Sequence, residues 1–188
     1  MKKFLLIVLL LWFGCLGYGG ENSPKIILII TEQNISGPQH SWWASEIDLS
    51  ITETTIAKKL IEDGFTVLEP SSLNRIIRQE KAFRLLNFSE QKARKLGSLA
   101  KADYVILGKA VASSGRNVPQ SNMRSCFANI TVKVIRIKDG KVVDYLDSFG
   151  AAVHLDPISG GKEALINAAE VIAEKISKTL TVTEGGKK

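Results

Sequence analysis

Two stretches of the chain are short and almost continuously apolar, residues 25–31 (KIILIIT) and 103–112 (DYVILGKAVA). Runs of this length without alternation predict strands buried on both faces. Between them the pattern changes to helical spacing. Ile47, Ile51, Ala57, Leu60 and Ile61 form one stripe over residues 45–63, and Gly64 is placed to end that helix as a left-handed cap. Residues 65–69 (FTVLE) predict a short strand that Pro70 breaks. Ser71 or Ser72 can cap a following helix with Leu73, Ile76 and Ile77 inward. Ser89 can cap another whose apolar side is Ala93, Leu96, Leu99 and Ala100. Residues 113–122, rich in Gly, Ser, Asn and Pro, predict a loop, and residues 32–43 predict another.

Two runs, 124–137 and 141–153, flank Asp139-Gly140. Asp-Gly between such runs predicts a hairpin with a two-residue type I′ loop. That loop fixes a register: Val134 opposite Tyr145, Val132 opposite Asp147, Ile130 opposite Phe149, Ala128 opposite Ala151. This face is apolar apart from Asp147 and also takes Cys126. The other face pairs Thr131 with Ser148, Lys133 with Leu146 and Ile135 with Asp144. Asp147 is the misfit: a bulge must turn it outward or a partner must meet it, since a buried unpaired carboxylate is costly. Asp156-Pro157 ends the hairpin. Over residues 161–180, Leu165, Ala168, Ala169, Ile172, Ala173, Ile176 and Leu180 mark the clearest amphipathic helix, and residues 181–188 form a polar tail.

The expected order is β-α-β-α-α-β-β-β-α. It predicts an α/β (α+β) fold in which one mixed sheet is flanked by helices. No repeat or linker divides residues 24–183, so they read as a single domain, with 184–188 as a disordered tail.

The first residues change the compartment. Met1-Lys2-Lys3 is a charged start, and residues 4–13 are an apolar run about ten residues long, against the ~20 that a spanning helix needs. Residues 1–19 therefore read as a secretory signal peptide. Gly17-Tyr18-Gly19 suits ordinary cleavage. Alternatively, Cys15 directly after the apolar run suits lipidation, although Trp12 and Phe13 stand where a lipobox has Leu and a small residue. Loss of Lys2 and Lys3 takes the formal charge from +6 to +4. For an exported protein that basicity points away from nucleic acid and towards anionic lipid, cell-wall polymer or another protein. After a cut at Gly19 only Cys126 remains, a lone thiol of the buried, inert kind.

Candidate chemistry is sparse. The two His and two Cys assemble no metal site, and no cofactor motif is present. His40 and His154 stand beside no serine elbow of the Gly-x-Ser-x-Gly kind, so no catalytic residue is assigned. A Cys126–His154 dyad is opposed by the core placement of Cys126. Arg75, Arg78, Lys81 and Arg84 recur every three residues. They read either as an anion contact or as an ordinary solvated helix face. Trp42 and Trp43 in a polar loop read either as a partner contact or as a staple at the start of the first helix. Ser159-Gly160-Gly161-Lys162 reads as an anion-binding helix start or as a simple glycine-rich turn.

Four segments, in order, resemble one envelope family. Residues 56–69 (IAKKLIEDGFTVLE) resemble its helix followed by a Gly-Phe-x-Val strand, and 101–108 (KADYVILG) its Gly-Ala-Asp-Tyr-Val strand. Residues 128–143 (ANITVKVIRIKDGKVV) resemble its hairpin, and 156–168 (DPISGGKEALINA) the opening of its last helix. The family comprises the curli-secretion channel lipoprotein, the middle domain of flagellar assembly protein T, the lipoprotein activator of penicillin-binding protein and the N-terminal domain of TolB. The resemblance implies an anticodon-binding-domain-like fold. It also implies a non-enzymatic periplasmic or outer-membrane-associated assembly factor, with secretion, flagellar or cell-wall machinery as partners. It leaves homo-oligomers open and gives membrane association only through an N-terminal lipid. The alternative is a binder of an anionic envelope component through the basic stripe. The curli channel's pore hairpins would need roughly 40 residues of alternating sequence, and the loop at 113–122 has no room for them.

Overall fold

The computed structural model describes residues 23–35, 37–38, 50–68 and 90–185. In chain order the elements are β1 (Lys25–Asn34), β2 (Gly37–Pro38), α1 (Ile51–Glu62), β3 (Thr66–Val67), α2 (Glu90–Leu99), β4 (Tyr104–Asn117), β5 (Arg124–Arg136), β6 (Val142–His154) and α3 (Pro157–Gly185). The helix expected around Leu73, Ile76 and Ile77 lies outside the described residues.

One mixed sheet runs β2-β1-β4-β5-β6, with β3 also on the outer side of β1. β1 is parallel to β3 and β4, while the β4–β5 and β5–β6 pairs are antiparallel. This is the α/β (α+β) mixed sheet flanked by helices that the sequence predicts. β1 is buried on both faces, as its unbroken apolar run requires. Ile26, Leu28 and Ile30 join the larger core under α1 and α3, and Ile27 and Ile29 join the smaller core under α2. Each such buried side chain contributes about 1.5–3 kcal/mol.

The caps explain where the helices stop. Ser50 has extended backbone and its hydroxyl accepts the Glu53 N–H, so α1 starts at Ile51 rather than near Ser45. Gly64, at φ 90°, closes α1 with Gly64 N–H on Ile61 O and Phe65 N–H on Leu60 O, as its position predicts. α2 ends by the same pattern, with Lys101 in the left-handed position at φ 54°. Ala93 and Leu96 are buried on α2 as expected, whereas Leu99 is largely exposed and Gly97 takes its place against Val105 and Ile137.

Besides the loop expected at 32–43, of which residues 32–34 belong to β1 and 37–38 form β2, three further expectations are corrected. Residues 113–117 are not loop but the end of β4, paired with β5 through an irregularity between Ser114 and Asn117. Their small polar residues mark a bulged, wet ribbon end. α3 begins at Pro157, not Gly161. Asp156 accepts the Ile158 and Ser159 N–H groups and the Ser159 hydroxyl, and Pro at the first helical position needs no donor. α3 also runs through Gly185, so the first residues of the expected polar tail are helical. Tyr104 Oη donates to Glu184 Oε1 at 2.5 Å, which ties that last turn to the start of β4.

The third correction concerns the hairpin. Its loop is residues 137–140, closed by Arg136 N–H on Lys141 O, and Gly140 alone of the Asp-Gly pair has positive φ, at 68°. The type I′ loop is therefore absent. Ile135 pairs with Val142 but Val134 pairs with Asp144, so Val143 is an extra residue on β6. Beyond it Val132 faces Leu146, Ile130 faces Ser148 and Ala128 faces Gly150. A single inserted residue turns every later side chain of β6 to the opposite face. Tyr145, Asp147 and Phe149 point away from α3 and are exposed, while β5 keeps its expected core face. Asp147 thus meets water instead of the core.

Candidate functional site

Among the described residues, the bulge creates a surface feature suited to contact. α2 covers β1 and the first half of β4 on its side of the sheet. Beyond that cover, β5 and β6 present Phe127, Tyr145, Phe149 and Val153. The Phe127 and Phe149 rings stack with centroids 5.8 Å apart at 28°. Phe149 is 57% exposed and Tyr145 66%. A Cβ at Gly115 would stand 2.6 Å from Phe127 Cε2, so this glycine lets the ring lie over β4. Lys133 Nζ is 5.8 Å from the Tyr145 ring centroid and 3.0 Å from Glu90 Oε2. The Lys133 ammonium holds the Glu90 carboxyl below its ordinary range. Asn129, Thr131 and Asp147 complete an exposed polar surround. Aromatic side chains in a polar rim have the composition of a protein-contact surface.

The neighbouring sheet edge is partly covered by α3. β6 is the last strand, and α3 approaches it closely. A Cβ at Gly150 would stand 2.5 Å from Ala168 N and would also collide with Ala164 O. Ser148 Oγ donates to Ala168 O at 2.8 Å. From this position α3 reaches over the edge: Lys175 Nζ donates to Asp147 O at 2.6 Å and Asn167 Nδ2 to Ala151 O at 2.9 Å. Carbonyls that could have recruited another strand are occupied by side chains.

Cys126 lies against the first turn of α3. Its thiol is fully buried and donates to Pro157 O at 3.7 Å. Burial first, then the Asp156 carboxylate, pushes the thiol pKa up. His154 Nδ1 accepts the Asp156 N–H at 3.0 Å, and the Asp156 carboxylate is spent on Ser159 and Ile158. The geometry therefore makes no Cys126–His154 dyad, because a nucleophile needs the thiolate. Gly160 and Gly161 pack rather than bind. A Cβ at Gly160 would collide with Cys126 Sγ and one at Gly161 with Asn34 Oδ1, and Asp156 already holds the Ile158 and Ser159 N–H groups of the helix start. Among the described residues there is no cluster of three metal-ligating side chains, and no helix is long and apolar enough to cross a membrane.

Cys15, Trp42, Trp43, Arg75, Arg78, Lys81 and Arg84 all lie outside the described residues. The reading of the sequence missed Phe127, Tyr145 and Phe149, since its straight register placed Tyr145 and Phe149 inward. The signal was available: Asp147 stands midway between them on one face, while Ser148, Gly150 and Ala152 offer the small side chains that a close helix requires.

No protein-family model and no curated protein matches the chain. Solved structures do resemble it. A PelC variant dodecamer from Paraburkholderia phytofirmans is 15% identical over 85% of this chain and 90% of its own, with a TM-score of 0.43. Lipoprotein GNA1162 from Neisseria meningitidis is 13% identical over 82% of this chain and 99% of its own, with a TM-score of 0.47. The LpoB C-terminal domain from Salmonella enterica is 16% identical over 69% of this chain and 84% of its own, with a TM-score of 0.41.

Proposed function

We propose that this chain is a non-enzymatic envelope assembly or accessory protein, periplasmic or held at the outer membrane by a lipid on Cys15, that acts through protein–protein contacts. The observation that carries this reading is exposed Phe149 stacked on half-buried Phe127, with exposed Tyr145 further along the same face of β6, on the uncovered half of the sheet. A soluble domain rarely leaves stacked aromatics open without a use for them. The export-type N-terminus and the four envelope-family motifs supply the compartment. The partly covered β6 edge favours contact through the face, and the aromatics with a rim of both charges suit a folded envelope protein. The inert thiol and the absence of a dyad at Cys126 favour binding over catalysis.

The test is recovery of partners from cross-linked envelopes by tagged protein, the parent compared with Phe127→Asp. A discrete partner recovered by the parent and lost in the variant supports the reading. Equal recovery by both removes this face from it. Salt-sensitive retention on anionic lipid or cell-wall polymer, unchanged in Phe127→Asp, shifts the function to the basic stripe at Arg75, Arg78, Lys81 and Arg84.

A further inference from the structure

Two buried carboxyl groups cross between β1 and α1. Glu53 of α1 accepts the Ile30 N–H of β1 on Oε1 at 2.7 Å, and Glu32 of β1 accepts the Thr52 N–H of α1 on Oε2 at 2.8 Å. The two residues are 2% and 4% exposed. Ile30 lies between the short pairings that β1 makes on its outer side, with β3 at Lys25–Ile26 and with β2 at Gln33–Asn34. The Glu53 carboxyl thus stands where a neighbouring strand would continue the ladder. Glu53 is also the third helical residue after Ser50, in a Ser-x-x-Glu capping arrangement. Its second oxygen, Oε2, has no hydrogen-bond partner among the described residues.

We propose that Glu53, buried beside Glu32, is a proton-operated latch that holds the first turn of α1 to β1 while its carboxyl group is protonated and loosens when that group ionises. A charged Glu53 would be buried beside Glu32, and among the described residues no cation acts on it to offset that burial. Among the described residues, the groups acting on Glu53 are the Glu32 carboxylate and Ile30 N–H from β1, and Ser50 from the α1 cap; none is a cation. Burial is the largest influence and Glu32 adds to it, and together they outweigh the hydrogen bonds that favour charge, raising Glu53 from 4.5 to about 8. The sign follows from linkage. A carboxyl raised in the folded state contributes its full stability below its unfolded value near 4.5, and that stability is lost as pH rises through about 8. The latch also lies where residues 39–49, which carry Trp42 and Trp43, join Ser50.

The experiment is chemical unfolding of the parent and Glu53→Gln at half-unit steps from pH 5 to 9. With one extra proton held in the folded state, the parent's unfolding constant rises by up to tenfold per pH unit across this interval, relative to Glu53→Gln. Amide exchange of α1, corrected for its intrinsic pH dependence, should show its first turn opening ahead of its last in the parent at pH 9. Parallel pH profiles for the two proteins overturn the latch. Should Glu53→Gln not fold, carbon-detected titration of the Glu53 carboxyl in the parent decides: a midpoint above 7 supports the latch, and one near 4.5 overturns it.

Discussion

Phe127 and Phe149 lie on neighbouring strands and stack diagonally across the β5–β6 ladder, although neither belongs to the core. The contact exists because Val143 is an extra residue on β6, which turns Phe149 towards the side that Phe127 already faces. A diagonal aromatic pair contributes roughly 0.2–1 kcal/mol to a sheet. That is a modest return for leaving Phe149 open, and the larger return is expected on binding.

Phe149→Ser therefore separates stability from function. Its thermal midpoint should stay close to the parent's, since the exposed side chain contributes within about 1 kcal/mol. Partner affinity should fall by at least tenfold, the range for an aromatic anchor at an interface centre. Calorimetric melting together with a titration against the recovered partner checks both.

The glycines predict a different contrast. Gly150→Ala must push α3 away from β6, because the new methyl meets the backbone of Ala164 and Ala168, so its loss should exceed about 2 kcal/mol. Gly64→Ala has open space but keeps a left-handed φ of 90°, so its loss should be about 1 kcal/mol. Lys101→Gly should gain up to about 1 kcal/mol, since Lys101 holds a φ of 54° that glycine adopts without strain. Urea unfolding of the three variants gives the order directly.

Removing the cover of the sheet edge should promote self-association. Lys175→Ala combined with Asn167→Ala uncovers the Asp147 and Ala151 carbonyls on β6. Sedimentation velocity should show larger, concentration-dependent species than the parent forms under the same conditions. An unchanged distribution would mean that α3 shields the edge by bulk alone.

Cys126 should behave as a structural thiol. Its burial and raised pKa predict that a thiol reagent modifies it only as fast as the protein opens, and at free-cysteine rates once urea unfolds it. Rapid modification of the folded protein would reopen the question of catalysis.

The elements whose signal is local were legible in the sequence. The apolar run of β1, the glycine stop at Gly64, the core face of β5 and the stripe of α3 follow from spacing and caps alone. What escaped depends on counting residues across a loop. Asp139-Gly140 promised a two-residue turn, but Arg136 pairs with Lys141 and Val143 bulges. Two small departures from a straight ladder moved Tyr145 and Phe149 from the expected core to the surface. Asp147 carried the warning, and small residues on the alternate positions of β6 carried the remedy. The start of α3 escaped for a related reason: the Asp156 cap with Pro157 resembles a strand breaker until its hydrogen bonds are seen.

The most direct measurement places a photo-crosslinking amino acid at position 149, and for comparison at Val182, which is 76% exposed on α3. Both variants are expressed from the full sequence and irradiated in cells. A discrete adduct is expected between position 149 and a partner protein, abolished by Phe127→Asp and absent from position 182. No adduct at 149, or the same products from both positions, would contradict the claim that this open aromatic face is where the protein does its work.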